Sequence, residues 1–531
     1  MRSTQSPSLS VYWEPEQLLQ ECGRIRETVY VVRDDRRRYG ICYEPRALTP
    51  DNSIIASLPP LYPEWLGDPS FRKTHGVRFC YATGEMAGGI AGSELVVAAG
   101  RLGMIGFLGA GGLAPAQIDE AIGEIRQHLE PHGYAWGTNL IHNPHHPRAE
   151  AEVTDLYIRR GVSRVSASAF MAINENLVRL ACHGLTQSAN GQIRRRHYLF
   201  AKISRPELAK QVMSPAPNAI LDELVKRGQL TALEASLARQ IPLAEDITVE
   251  ADSGGHTDNR PLSVIFPVVA SVRDEVLARY GDAVTIRIGA AGGIGTPSAV
   301  AAAFSLGAAY VMTGSINQTA REAQVSQEAK QLLQEAQLAD VAMAPSADMF
   351  ELGVRVQVLK RGTWFAQRAE LLYQTYVSYD GLSDLPPVLR RKLENEVFGQ
   401  SLDAVWAETR RYFAEQDPDQ LARADSDPKF QMALVFRWYL GHASRWAIEG
   451  RPQRRLDYQL WCGPAMGAFN NWARGTFLEA LEARTVEQIA LNLMEGAAVL
   501  TRVQQLRLAG VAVPAGFNFS PRPLKLRWSA Q

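Results

Sequence analysis

The stretch "RIGAAGGIGTPSAVAAAFSLGAAYVMTGSI", Arg287 to Ile316, carries two glycine-bearing turns, Gly289 to Thr296 and Thr313 to Ser315, with an alanine-rich run between them. It reads as strand, glycine turn, helix, strand, glycine turn. Thr296 suits a helix N-cap and Pro297 the first helical position. Gly292 and Gly293 can take backbone angles other residues avoid, which brings their amides close to a ligand. Amides at the start of a helix favour an anion, because unpaired N–H groups and the helix dipole act together. Gly314 and Ser315 offer a second set of donors after the next strand. Bare backbone after two consecutive strands points to a phosphate. The rival is a Rossmann dinucleotide site, which wants G-x-G-x-x-G. Here Gly293-Ile294-Gly295 runs into Thr296-Pro297-Ser298, and Ala309–Thr313 does not end in the acid that would hold a ribose. A turn without any ligand is the remaining alternative.

Outward from this stretch, short β-like runs alternate with helical patterns. Strands are expected over Val77–Tyr81, Met104–Phe107, Tyr134–Leu140, Arg164–Ala169, Tyr198–Ser204, Ile247–Ala251, Thr285–Gly289 and Ala309–Thr313. Helices are expected over Pro115–Leu129, Ala149–Arg160, Asn174–His183, Pro206–Met213, Pro261–Tyr280 and Pro297–Leu306. Eight runs in strict alternation predict a (β/α)8 TIM barrel, whose typical size is ~250 residues. A doubly wound open sheet fits the alternation but not the count. If the two glycine turns follow strands seven and eight, they lie where barrel enzymes often hold a phosphate. One unit is swollen: residues 214–242 read as a helical insertion, with Gly228 dividing two helical stretches.

The expected organisation is an N-terminal segment of unassigned fold over 1–75, the barrel over 76–340, and a mostly helical C-terminal domain over 341–531. That last region carries recurring aromatics, among them Trp406, Trp438, Tyr439, Trp446, Tyr458, Trp461 and Trp472, which read as core. The 531 residues are 46% hydrophobic and 21% charged, with 56 basic and 56 acidic side chains. Balanced charge gives no overall field to attract nucleic acid. Five scattered cysteines without a CxxC indicate neither a disulfide framework nor a zinc site. The start of the chain lacks the apolar run of a secretory leader, and no stretch is long enough for a membrane span. A cytoplasmic protein is expected.

"GAAGGIGT" followed by "GAAYVMTGS" resembles the FMN phosphate site of the nitronate monooxygenase superfamily, which includes an FMN-dependent enoyl-acyl-carrier-protein reductase. "GEMAGGIAGSELVVAAGRLGMIGFLGAGG" is similar to that family's first barrel unit, "GTNLIHNP" to its flavin-contacting Asn segment, and "EADSGGHTDNRPL" to its E-A-G-G-H motif. Asp252-Ser253 departs from the family pattern. With "AKISRPELA", "SPAP", "MAPSADMFELGV", "MALVFRWYLG" and "LDYQLWCGPAMGAFN", the chain resembles a narrower group. These are the trans-acting enoyl reductases of polyketide synthases and their counterparts in polyunsaturated fatty acid synthases.

The resemblance implies that FMN binds with its phosphate at Gly292, Gly293, Gly314 and Ser315. Met86, Ala87, Asn139, Gly255 and Thr313 are implied as further flavin contacts. Lys202, near the end of the fifth strand, is the candidate cation beside the flavin ring; a surface ion pair is its alternative. His256 is the implied catalytic residue. Its imidazole, with a reference pKa of ~6.5, suits either a hydrogen bond to a thioester carbonyl or proton transfer. Asp252 could orient it; Glu250 shares the strand parity of Asp252, so alternation cannot separate the two.

His142, His145 and His146 invite a metal reading, but no partner ligands accompany them. The implied reaction reduces the double bond of an enoyl thioester with NADPH through FMN, the acyl chain arriving on an acyl carrier protein. Arg194–Arg196 or the basic stretch Arg451–Arg455 are candidate docking patches for that acidic partner. An FMN oxygenase acting on nitronates is the alternative activity. A docking scaffold on an inert barrel is the non-enzymatic one.

Overall fold

The computed structural model describes residues 11–526 except 144–146, 257 and 281–283. Eight parallel strands close into a barrel in chain order. They are β1 (Tyr81–Thr83), β2 (Ile105–Leu108), β3 (Gly137–Ile141), β4 (Arg164–Ser168), β5 (Tyr198–Ile203), β6 (Asp246–Glu250), β7 (Arg287–Ala291) and β8 (Val311–Thr313). One main helix follows each: α1 (Ser93–Arg101), α2 (Pro115–Leu129), α3 (Pro147–Arg160), α4 (Glu175–Cys182), α5 (Pro206–Val212), α6 (Leu262–Tyr280), α7 (Pro297–Ser305) and α8 (Gln327–Gln334). Strands β7 and β8 are buried at every residue, as a parallel sheet covered by helices requires.

The expected barrel is therefore present, with local differences. The first strand begins at Tyr81 rather than Val77. The amides of Arg78 and Phe79 both turn to the Gly103 carbonyl, at 2.7 and 3.1 Å, and join the ladder only later. Helix α1 escaped the sequence pattern because its two adjacent valines and Gly100 weaken helix propensity. The insertion between α5 and β6 forms two helices, Asn218–Lys226 and Ala232–Ala238, with Gly228 at positive φ between them and Thr231 capping the second.

After α8 the chain first makes an antiparallel hairpin, β9 (Val341–Pro345) and β10 (Arg355–Leu359), which the sequence pattern did not announce. Four longer helices follow, α9 (Phe365–Ser378), α10 (Leu402–Gln416), α11 (Pro418–Ser426) and α12 (Pro428–Glu449). The hairpin and helices α9, α10 and α12 share their own apolar cluster around Phe350, Phe365, Phe398, Phe436 and Tyr439, while α11 joins a smaller one through Ala424. The aromatics thus pack mostly as core, as expected. Helices α13 (Ala465–Ala473) and α14 (Val486–Leu508) instead join the barrel's core through Met466, Phe469, Ile489 and Leu493. The N-terminal segment, left without a fold by the sequence, forms a three-stranded antiparallel sheet over Val29–Arg33, Tyr39–Cys42 and Ser53–Leu58. It packs on the far end of α14 through Val31, Ile41, Val503 and Leu506.

The N-terminal end of the barrel is closed by charge as well as by rings. Asp246, the first residue of β6, accepts two hydrogen bonds from Arg287, the first residue of β7, at 2.6 and 2.8 Å. His75 lies 3.1 Å from the same carboxylate, and Arg164 donates to the His75 carbonyl at 2.7 Å. Phe71 stacks on Tyr310 alongside. Breaking a buried pair by removing one partner costs far more than an exposed pair, because a charge is stranded without water. Asp246→Ala should lower the unfolding free energy by about 3–5 kcal/mol, measured by denaturant unfolding. An unchanged midpoint would show that this network carries no stability.

Candidate active site

The C-terminal ends of the strands open into a cavity of about 810 Å3. That lies inside the usual range of ligand pockets, about 300–1,000 Å3. Met86, Ala87, Asn139, Lys202, Gly255, His256, Gly292, Gly293, Thr313, Gly314 and Ser315 all line it. The structure thus brings together the residues that the resemblance implied for the flavin and for catalysis.

The two glycine turns lie side by side because β7 and β8 are neighbours in the barrel. Gly292 and Gly293 have φ of 81° and 70°, in the left-handed region. A methyl group on Gly292 would lie 2.7 Å from the Ala251 backbone, so this turn needs glycine twice over. Methyl groups on Gly293 or Gly314 would meet nothing within 4 Å. The amides of Gly293, Gly314 and Ser315 make no hydrogen bond among the described residues. Open space flanked by unpaired donors fits an anion such as a phosphate. Thr296 caps α7 through its hydroxyl and Pro297 opens the helix, as the sequence predicted. Thr313 differs in kind: its hydroxyl is engaged by Tyr81 at 2.6 Å and Asn317 at 3.0 Å.

Beside these turns, because β1 neighbours β8, the loop from Gly84 to Ala91 is tied to the loop after β2 by backbone hydrogen bonds. Gly88 donates to the Gly111 carbonyl, Gly89 to Gly109 and Gly109 to Ala91. Met86 and Ala87 are therefore held as a fixed wall. Asn139 spends both amide protons, on the Ser166 carbonyl at 3.0 Å and the Ser168 hydroxyl at 2.9 Å. Its amide oxygen is the group left for a ligand.

Lys202 lies in the cavity wall with two acidic partners. Its ammonium lies 3.0 Å from Glu85 and 3.1 Å from Glu250, and its side chain is 12% exposed. Burial alone would discharge it; the two carboxylates outweigh that and hold it charged, well above the usual lysine range. It is a buried cation in a fixed charge cluster, so the surface ion pair offered as its alternative does not hold. Glu250 thereby has a partner that strand parity could not reveal. Asp252 pairs instead with Gln357, and burial pushes its carboxyl up.

His256 is oriented from outside the barrel. Its Nε2 lies 3.0 Å from the Ser346 hydroxyl and 3.2 Å from Asp348 Oδ1, both in the turn after β9. Burial works against the charged ring, and the Asp348 carboxylate more than reverses it, so His256 is raised above its ordinary value. Asp348 is correspondingly brought down to about 2: burial opposes this, and the bond from His256 overrides it. The sequence missed Asp348 and Ser346 as site residues. They lie about ninety positions from His256, and no local spacing connects them.

His142 bonds Glu150 at 2.9 Å and stacks on Phe170, while Glu150 also receives Asn143, Asn174 and Asn176. His145 and His146 lie outside the described residues, and among the described residues no group of side chains could hold a metal ion. The run Arg194–Arg196 precedes β5, at the end of the barrel away from the cavity, and Arg195 is buried against Glu245 at 2.8 Å. It is not a docking patch at the mouth. The opposite rim is formed by α12, through Gly441, Ser444, Arg445 and Ile448.

Residues 229–375 match the family described as nitronate monooxygenase, and residues 379–458 match the inserted helical domain of [acyl-carrier-protein] S-malonyltransferase. The crystal structure of the enoyl reductase domain of MlnA, from the macrolactin biosynthesis cluster of Bacillus amyloliquefaciens, superposes with a TM-score of 0.80 at 36% identity, covering 84% of this chain and 99% of that one. Polyketide biosynthesis protein PksE of Bacillus subtilis (strain 168) is 43% identical over 437 residues, 82% of this chain and 56% of that protein. A component of the polyunsaturated fatty acid synthase of Thraustochytrium sp. (strain ATCC 26185 / S-3) is 43% identical over 449 residues, 83% of this chain and 30% of that protein. The chain thus spans between 23% and 56% of the length of the curated relatives it matches. No described helix is long and apolar enough to cross a membrane. The agreement with the MlnA domain runs through barrel and helical module alike, and on that ground the chain belongs to the enoyl reductase family of polyketide and polyunsaturated fatty acid synthases, built on a nitronate-monooxygenase-like barrel.

Proposed function

We propose that this chain is an FMN-dependent, NADPH-using enoyl reductase that acts in trans, in the cytoplasm, on enoyl thioesters borne by an acyl carrier protein. The observation that carries the reading is one cavity with open, unbonded glycine-turn amides on one wall and an oriented imidazole on another. Bound FMN would supply the relay of hydride from NADPH to the β-carbon of the α,β-unsaturated thioester. The amides of Gly293, Gly314 and Ser315 would hold its phosphate, and Met86, Ala87, Asn139 and Gly255 would border its ring. His256 would donate a hydrogen bond to the thioester carbonyl and stabilise the negative charge that gathers there. The basic stretch Arg451–Arg455 follows α12 at the rim and suits the acidic surface of a carrier.

The match to nitronate monooxygenase over 229–375 favours an oxygenase as the second reading. Identity to an enoyl reductase domain over nearly its whole length favours the first.

Gly314→Asp would put a carboxylate beside Ser315, at a position where an added Cβ meets nothing within 4 Å. The variant should fold and elute without FMN, whereas stoichiometric FMN would remove the phosphate assignment. His256→Ala should keep FMN and still bleach with NADPH, while turnover of a crotonyl thioester falls ~100- to 1000-fold, the usual cost of losing one such donor. Stopped-flow absorbance separates the two steps. Equal losses in both would point to a role in positioning the nicotinamide instead.

A further inference from the structure

The turn between β9 and β10 reaches the barrel mouth and meets His256 with two polar side chains. Asp348 is acceptor-only when ionised, and the Ser346 hydroxyl donates to it. Both stand against the same ring nitrogen, Nε2. A proton on Nε2 satisfies both contacts; a bare Nε2 would face a carboxylate with a lone pair. Among the described residues Nδ1 has no hydrogen-bond partner, and the residue lines the cavity. We infer that Asp348 is the positioning residue of His256, fixing the proton at Nε2 so that Nδ1–H is the donor that protonates the substrate's α-carbon. The inference rests on the enoyl reductase reading and goes beyond it by naming the proton donor and the group that keeps it charged.

The step balances. Hydride, from NADPH through FMN, forms the bond to the β-carbon. The electron pair of the double bond moves to the α-carbon and thioester oxygen. The Nδ1 proton then bonds to the α-carbon, leaving His256 neutral with Nε2–H still on Asp348. Water returns the Nδ1 proton.

Three charged groups face His256 from separate elements. Asp348, in the turn after β9, favours the imidazolium, as does Glu250 at the end of β6; Lys202 on β5 opposes it. A raised folded-state value extends the charged form of the ring to higher pH than an ordinary imidazole, and the charge is lost as pH climbs through that value. Asp348→Asn keeps the shape and removes the charge. The ring should then lose its proton at a pH lower by about one pH unit.

The test is a titration of the folded, substrate-free protein carrying labelled histidine, with His256 assigned through His256→Gln. Asp348→Asn should bring the His256 midpoint down, and the alkaline decline of crotonyl thioester reduction should move down with it, while bleaching by NADPH keeps its pH dependence. An unchanged midpoint would overturn the inference. Ring nitrogen shifts in the unmutated protein give a second test that does not depend on the variant folding: the neutral ring should carry its proton on Nε2, and a proton on Nδ1 would overturn it. Neither titration needs substrate. A protein that reduces no enoyl thioester would therefore sink the functional reading and still report on Asp348.

Discussion

Backbone lies directly on backbone where residues 461–467 cross the barrel mouth, and the site is built around that contact. A methyl group on Gly254 would lie 2.8 Å from the Cys462 nitrogen, and one on Gly295 would lie 2.2 Å from the Ala465 carbonyl oxygen. The Gly463 amide donates to the Ser315 hydroxyl at 3.3 Å, and the Cys462 amide to the Gln357 carbonyl at 3.2 Å. One segment thus binds the loop after β6, the turn after β7, the turn after β8 and strand β10 together. Side chains at these positions would push the elements apart by ångströms. The two glycine turns and the His256 loop keep their spacing because nothing bulkier than hydrogen lies between them and this segment.

This arrangement makes the helical module part of the site. The hairpin β9–β10 belongs to the module's apolar cluster, yet its turn holds His256. Helix α12 is core on one face and cavity rim on the other. Charge is handled by two different devices. Lys202 is neutralised in place by Glu85 and Glu250, which costs less than leaving any of the three alone in a buried position. His256 is bonded to one carboxylate, Asp348, and among the described residues its Nδ1 makes no hydrogen bond. The Lys202 cluster and the His256–Asp348 pair both border the same cavity.

The barrel was legible because its signals are local. Alternation of apolar runs, proline at helix starts and glycine after β7 and β8 depend on neighbours in sequence, and they located all eight strands and both turns. The resemblance then named His256, Asn139 and Lys202, and the cavity holds them. What remained hidden depends on distance. Lys202 gave no sign of Glu85, which lies 117 positions earlier and meets it only when β5 and the loop after β1 share one end of the barrel. Asp348 stands in a stretch quoted only for resemblance, and its partner is fixed by a hairpin that a helical pattern obscured. The N-terminal sheet was illegible for the same reason, since its apolar face is completed by Val503 and Leu506. Propensity also misled at α1, where tertiary burial overrides two adjacent valines.

The measurement that tests the account most directly is an anaerobic single turnover. The FMN-loaded protein is bleached with one equivalent of NADPH and mixed with a crotonyl thioester in the absence of oxygen. The account predicts that the flavin colour returns, with one butyryl thioester formed per flavin. Colour that returns only when oxygen is admitted, with the crotonyl thioester recovered intact, would contradict it.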